Sequence, residues 1–104
     1  MTMRAGNRVV HDNPAELQYE LRSGREVVGL IRYRGEPGAI ALVHTDVDPD
    51  LEGTGAAGEL VEGALLDLRS RGLRVIPICP YVRSWIGRHP AYADLVVDDP
   101  APPE

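Results

Sequence analysis

AIALVHTDVDPDLEGTGAAGELVEGALLDLRSRGLRVIPIC, residues 39 to 79, changes its apolar period twice, and those changes decide the fold. It begins with AIALVHTDV, a nearly continuous apolar run of strand length that reads as a central strand. From Ala57 onward the apolar residues Leu60, Val61, Ala64, Leu65 and Leu68 fall at i, i+3, i+4 and i+7 spacing, the pattern of an amphipathic helix. Arg69, Arg71 and Gly72 supply a C-terminal stop with favourable charges. LRVIPIC then reads as a second strand. A strand, helix, strand connection of this length places the two strands parallel in one sheet.

Upstream, Leu17, Tyr19 and Leu21 alternate with Gln18, Glu20 and Arg22, the period of a half-buried strand. Ser23-Gly24 marks a turn, EVVGLIRYR a further strand, and GEPG (35–38) a second tight turn. Short turns between successive strands imply an antiparallel meander, with Val9 and Val10 as a short edge strand before it. Downstream, PYVRSWIGRH reads as a short helix with Pro80 at its first position. The expected fold class is therefore α/β: a mixed sheet made of an antiparallel meander plus a parallel strand after a crossover helix. Residues 1–97 are expected to form a single domain, and DDPAPPE (98–104), without apolar content, a frayed tail.

The chain's 104 residues suffice for one domain and not for a dinucleotide domain plus a substrate domain. A net charge of -5 argues against nucleic acid as a partner and suits a cationic amine substrate. One cysteine excludes an internal disulfide, and no Cys/His spacing fits a metal site. The N-terminal MTMRAGNRVVHDNP lacks the apolar run of a leader, and no stretch reaches membrane-spanning length. The expectation is a cytoplasmic protein with no membrane partner.

Gly53, Gly55 and Gly58 form a literal G-x-G-x-x-G, the fingerprint of a dinucleotide loop. That reading fails. DPDLE separates the glycines from the preceding strand, the acidic residue required about twenty positions later is missing, and too little chain remains for a second nucleotide-binding half. No Lys-Ser/Thr follows, so a P-loop fails as well. Shifted by one frame, Glu52-Gly53-Thr54-Gly55-Ala56-Ala57 fits R/Q-x-x-G-x-G/A between a central strand and a long helix. That arrangement resembles the acetyl-CoA loop of the GNAT N-acetyltransferase superfamily, with two departures: Glu52 stands where Arg or Gln is common, and Ala57 where Gly is common.

The likeness extends over residues 44–96, where H-T-D-V, C-P-Y-V and R-H-P-A-Y resemble the small single-domain GNAT-like subfamily. The resemblance implies a minimal GNAT-like fold, acetyl-CoA as cosubstrate and acyl transfer to an unidentified amine, small molecule or protein. It also implies that Thr45, Asp46 and Val47 accompany pantetheine, and that Glu52, Gly53, Thr54, Gly55, Ala56 and Ala57 surround the pyrophosphate. Arg83 and Arg88 would meet the ribose phosphate.

Cys79, ending a strand beside a helix N-terminus, is one candidate catalytic residue, and a buried apolar cysteine is the bland reading of the same position. The resemblance also places a cysteine here. His44 titrates near neutrality and could act as base, but its parity with Leu42 and Ile40 equally suits a hydrogen-bonded core histidine. Tyr81 and Trp85, at i, i+4 spacing, read as packing residues. A non-catalytic CoA-binding or protein-interaction module of the same fold is the alternative.

Overall fold

A computed structural model describes residues 8–97. The proposed tail, 98–104, lies outside the described residues. Five strands form one sheet in sequence order: β1 (Arg8–Asn13), β2 (Gln18–Ser23), β3 (Glu26–Glu36), β4 (Ala39–Val47) and β5 (Arg74–Pro77). The first four pair antiparallel, and β5 joins β4 in parallel. Two helices, α1 (Ala56–Ser70) and α2 (Pro80–Arg88), follow β4 and β5. The meander, the crossover helix and the parallel strand match the expected architecture.

Both helices pack on one face of the sheet. Leu60, Val61, Ala64, Leu65 and Leu68 of α1 meet Tyr19, Leu21, Ile31 and Leu42 from the strands, while Val82, Trp85 and Ile86 of α2 extend the same core. With few aromatics available, aliphatic side chains supply most of this buried surface. The other face carries only a small cluster around Ala39, Ala41 and Ile76. At the far end of α1, Asp67 accepts from the Tyr19 hydroxyl, and Arg71 bridges Asp67 and Asp12. Burial first, and then the Asp67 contact, push the Tyr19 hydroxyl's pKa up.

Two expectations for β2 need correction. Leu17 does not enter the core; it sits before the strand at φ 56° and is 54% exposed. The PAEL turn (14–17) that carries the chain from β1 into β2 requires the left-handed conformation there, and this turns the side chain outward. Gln18 and Glu20, expected on a solvated face, are buried. The Glu20 carboxylate accepts hydrogen bonds from Asn13, Gln18 and Arg22, so its polarity is satisfied locally.

That network makes Glu20 acid-sensitive. Burial raises its pKa, but the donors from Gln18, Asn13 and Arg22 outweigh burial and hold it at about 2, below the ordinary 4.5. A depressed carboxylate stabilises the fold above its unfolded pKa, and that contribution is lost as pH falls through the folded value. Stability should therefore decline from about pH 4.5 toward pH 2, measured by chemical denaturation across this window. Glu20→Gln should flatten that part of the profile. Glu20→Ala should cost about 1–3 kcal/mol at neutral pH, since it strands the donors.

Candidate functional site

Two local features separate β4 from β5 at one level. Arg32 pairs with His44 and Tyr33 with Leu42, so Val43 is an extra residue in β4, a β-bulge that bends the strand. On the other side, the parallel ladder ends at Leu42 and Pro77, where proline has no N–H to continue it. One last bond, from the Cys79 N–H to the Leu42 carbonyl at 2.9 Å, closes the junction. Residues His44 to Val47 therefore run on, paired with β3 alone.

Beyond Val47 a short 3-10 turn, Pro49–Leu51, leads into the glycine loop. Gly53 and Gly55 adopt φ of 83° and 85°, which only glycine takes without strain. Gly55 is the N-cap of α1 and offers no capping side chain. The N–H groups of Gly55, Ala56, Ala57 and Gly58 consequently donate to no backbone acceptor among the described residues. These orphan donors, at the positive end of a fifteen-residue helix, form a ready anion site.

A cleft of about 460 Å³ opens over that helix start. Val47, Glu52, Gly53, Gly55, Ala56 and Ala57 line it, as do Asp48, Pro49, Leu51, Gly58 and Tyr81. A smaller hollow of about 270 Å³ lies against the β3 side of the same strand end and includes Asp46. The two share Val47, Asp48 and Pro49 as a common wall.

The remaining sequence candidates fall elsewhere. Thr54 turns its hydroxyl back to the Leu51 carbonyl at 2.6 Å and serves the loop itself. Asp46 faces the smaller hollow, and Arg83 is exposed on α2 with no ion pair among the described residues. His44 is exposed, contrary to its parity with Leu42 and Ile40. The bulge at Val43 is the reason: one additional residue turns every later side chain of β4 to the opposite face.

The same shift turns Thr45 toward the helices, where its hydroxyl lies 3.4 Å from the Cys79 sulfur. Cys79 is the N-cap of α2, as the sequence suggested, but it is only 4% exposed and does not line the cleft. Burial, the largest single influence, raises its pKa; the Thr45 hydroxyl and the backbone N–H groups of Val82, Tyr81 and Thr45 together outweigh it and favour a thiolate. The net effect is a thiol below its ordinary range.

Tyr81 is the functional candidate that periodicity missed. It shares a helix face with Trp85 by spacing, yet only Trp85 is buried; Tyr81 is 37% exposed and lines the cleft. The available signal was Pro80. A proline at the first helical position places the next residue at the helix mouth, beside the strand ends. Among the described residues no group of three His, Cys, Asp or Glu side chains could hold a metal ion, and no helix is long and apolar enough to cross a membrane.

A family model described as GCN5-related N-acetyl-transferase matches residues 18–95, which span β2 through the segment after α2. The solution NMR structure of a GCN5-like protein from Staphylococcus aureus, itself assigned only provisionally as an N-acetyltransferase, superposes with a TM-score of 0.67. The superposition covers 88% of this chain and 89% of that one at 19% sequence identity, a likeness of fold. No curated protein matches the chain.

Proposed function

The chain belongs to the GCN5-related N-acetyltransferase family, and we propose on that footing that it transfers an acetyl group from acetyl-CoA to an amine. The observation that carries the proposal is the conjunction of the cleft with the unpaired N–H groups at the start of α1. A Cβ built at Gly53 or Gly55 would meet nothing within 4 Å, so the backbone stands open to a phosphate. Glu52 at the cleft lining adds a negative charge that these donors must offset. The donors have no side chain to lose, so the departure from Arg or Gln leaves the anion site intact.

In this reading acetyl-CoA supplies an activated thioester, and the chain supplies position. The donors of Gly55 to Gly58 hold its diphosphate, Thr45 and Val47 flank the pantetheine arm where β4 leaves β5, and Arg83 meets the ribose phosphate. As the amine nitrogen bonds to the acyl carbon and the carbon–sulfur bond breaks, the Tyr81 hydroxyl hands its proton to the departing CoA sulfur, and the proton shed by the new amide nitrogen restores the hydroxyl. The acceptor is a cationic amine that gives up its proton before attack. His44, exposed on β4, and the carboxylates of Asp46 and Asp48 are the groups able to draw it in and take that proton.

A second reading is favoured by the Thr45 contact and the lowered thiol pKa. Here the Cys79 thiolate attacks the acyl carbon, the CoA–acyl bond breaks and CoA leaves as thiolate, which takes a proton from water. The amine then displaces the Cys79 sulfur. Covalent capture separates the two routes. The sequence contains no lysine, all eleven basic residues being arginine, so the usual site of stray acetylation is absent. Direct transfer predicts CoA thiol release with a panel of small amines and no stable acetyl adduct by intact mass. A Cys79 route predicts an adduct that hydroxylamine removes and that Cys79→Ala abolishes. CoA binding without thiol release from any amine would favour the non-catalytic module instead.

A further inference from the structure

Trp85 is the sole tryptophan of the chain and is 5% exposed. Its ring stacks on His89 with centroids 3.7 Å apart and tilts against Tyr92 at 5.3 Å. Its backbone carbonyl is engaged by the His89 ring at 2.8 Å. The indole N–H, by contrast, donates to no acceptor among the described residues. Buried indole N–H groups ordinarily find a partner, so this donor calls for an explanation.

Its direction supplies one. The heavy atom nearest to where a Gly58 side chain would begin is Trp85 Nε1, at 3.1 Å, followed by Cδ1 at 3.8 Å. The nitrogen edge of the ring, not its benzo edge, faces the first turn of α1. Gly58 itself lines the cleft, and its own N–H is among the unpaired donors. A glycine inside a helix is unfavourable relative to alanine, and here its bareness lets the indole nitrogen, not itself part of the cleft lining, lie directly behind Gly58, which is.

We propose that the Trp85 indole N–H is a ligand-binding donor, adding a side-chain hydrogen bond to the backbone donors that hold a phosphate oxygen at the start of α1. Gly58 is the residue that permits it. The inference rests on reading the cleft as the site of a phosphate-bearing acyl donor.

The test compares CoA with pantetheine, which lacks the phosphates, by calorimetric titration of the wild type, Trp85→Phe and Gly58→Ala. Trp85→Phe should weaken CoA binding about tenfold and leave pantetheine binding unchanged, as loss of a hydrogen bond to a charged acceptor requires. Gly58→Ala should act in the same direction. In the wild type, Trp85 emission should shift on CoA binding with the calorimetric midpoint and stay still with pantetheine. Equal losses for both ligands would assign Trp85 a packing role and overturn the proposal. So would wild-type CoA affinity in Trp85→Phe with unmoved wild-type emission, and either result would leave the reading of the cleft standing. A wild type that binds no CoA would overturn that reading and the proposal with it.

Discussion

Gly63→Ala destabilises the folded protein by about 1–2 kcal/mol, although the same change would stabilise most exposed helices. Gly63 lies in the middle of α1, under β1. A Cβ at this position would stand 2.6 Å from the Val10 Cβ and closer still to one of its γ-methyl groups. Valine cannot swing away, because its branch point is fixed to the strand. The strand must lift instead, loosening the Arg8–Glu59 and Arg71–Asp12 ion pairs that tie β1 to the helix. Overpacking of this kind costs about 1–3 kcal/mol, against which the gain in helix propensity is up to about 1 kcal/mol. Urea denaturation would measure the net loss. Gly63→Ala combined with Val10→Ala should recover part of it, since the smaller side chain makes room.

Gly55→Val should abolish the proposed CoA binding while the protein remains folded. At φ 85° a β-branched residue is strained by about 1–3 kcal/mol, yet a side chain there meets nothing within 4 Å. The space it fills is the cleft. Strain and occlusion are separable through Gly38, which has φ 71°, equally open surroundings and a place in the β3–β4 turn, away from the cleft. Gly38→Val should lower stability similarly and bind CoA as the wild type does. With CoA at a hundred times its dissociation constant, the wild type and Gly38→Val should gain about 2.7 kcal/mol and Gly55→Val nothing. If both variants lost binding, the effect would belong to general destabilisation.

What the sequence disclosed about this molecule was mostly periodic. The change from strand to helix period at residues 39 to 79, and the turn residues at 23–24 and 35–38, sufficed for the strand order and the crossover. The helix stop at Gly72 and the start at Pro80 were equally legible, because capping chemistry is local. Bulges were not. The extra residue at Val43 reversed the facing of His44 and Thr45, and nothing in AIALVHTDV marks it. It exists because β3 and β4 are fitted to each other over their whole length, a tertiary constraint. Glu20 was hidden for a related reason: its three donors come from β1 and β2 together, and pairing partners are invisible to a one-strand reading. Cys79 shows the boundary well. Its helix-start position could be read from Pro80, but not its contact with Thr45, thirty-four residues away and turned inward by the bulge.

The role proposed for the helix-start cleft is to hold the phosphates of an acyl-CoA. Its most direct measurement is calorimetric titration of the purified protein with CoA, in parallel with Gly55→Val and Gly38→Val. One saturable site per chain is expected in the wild type and in Gly38→Val, and no binding heat in Gly55→Val. No binding by the wild type, or undiminished binding by Gly55→Val, would contradict it.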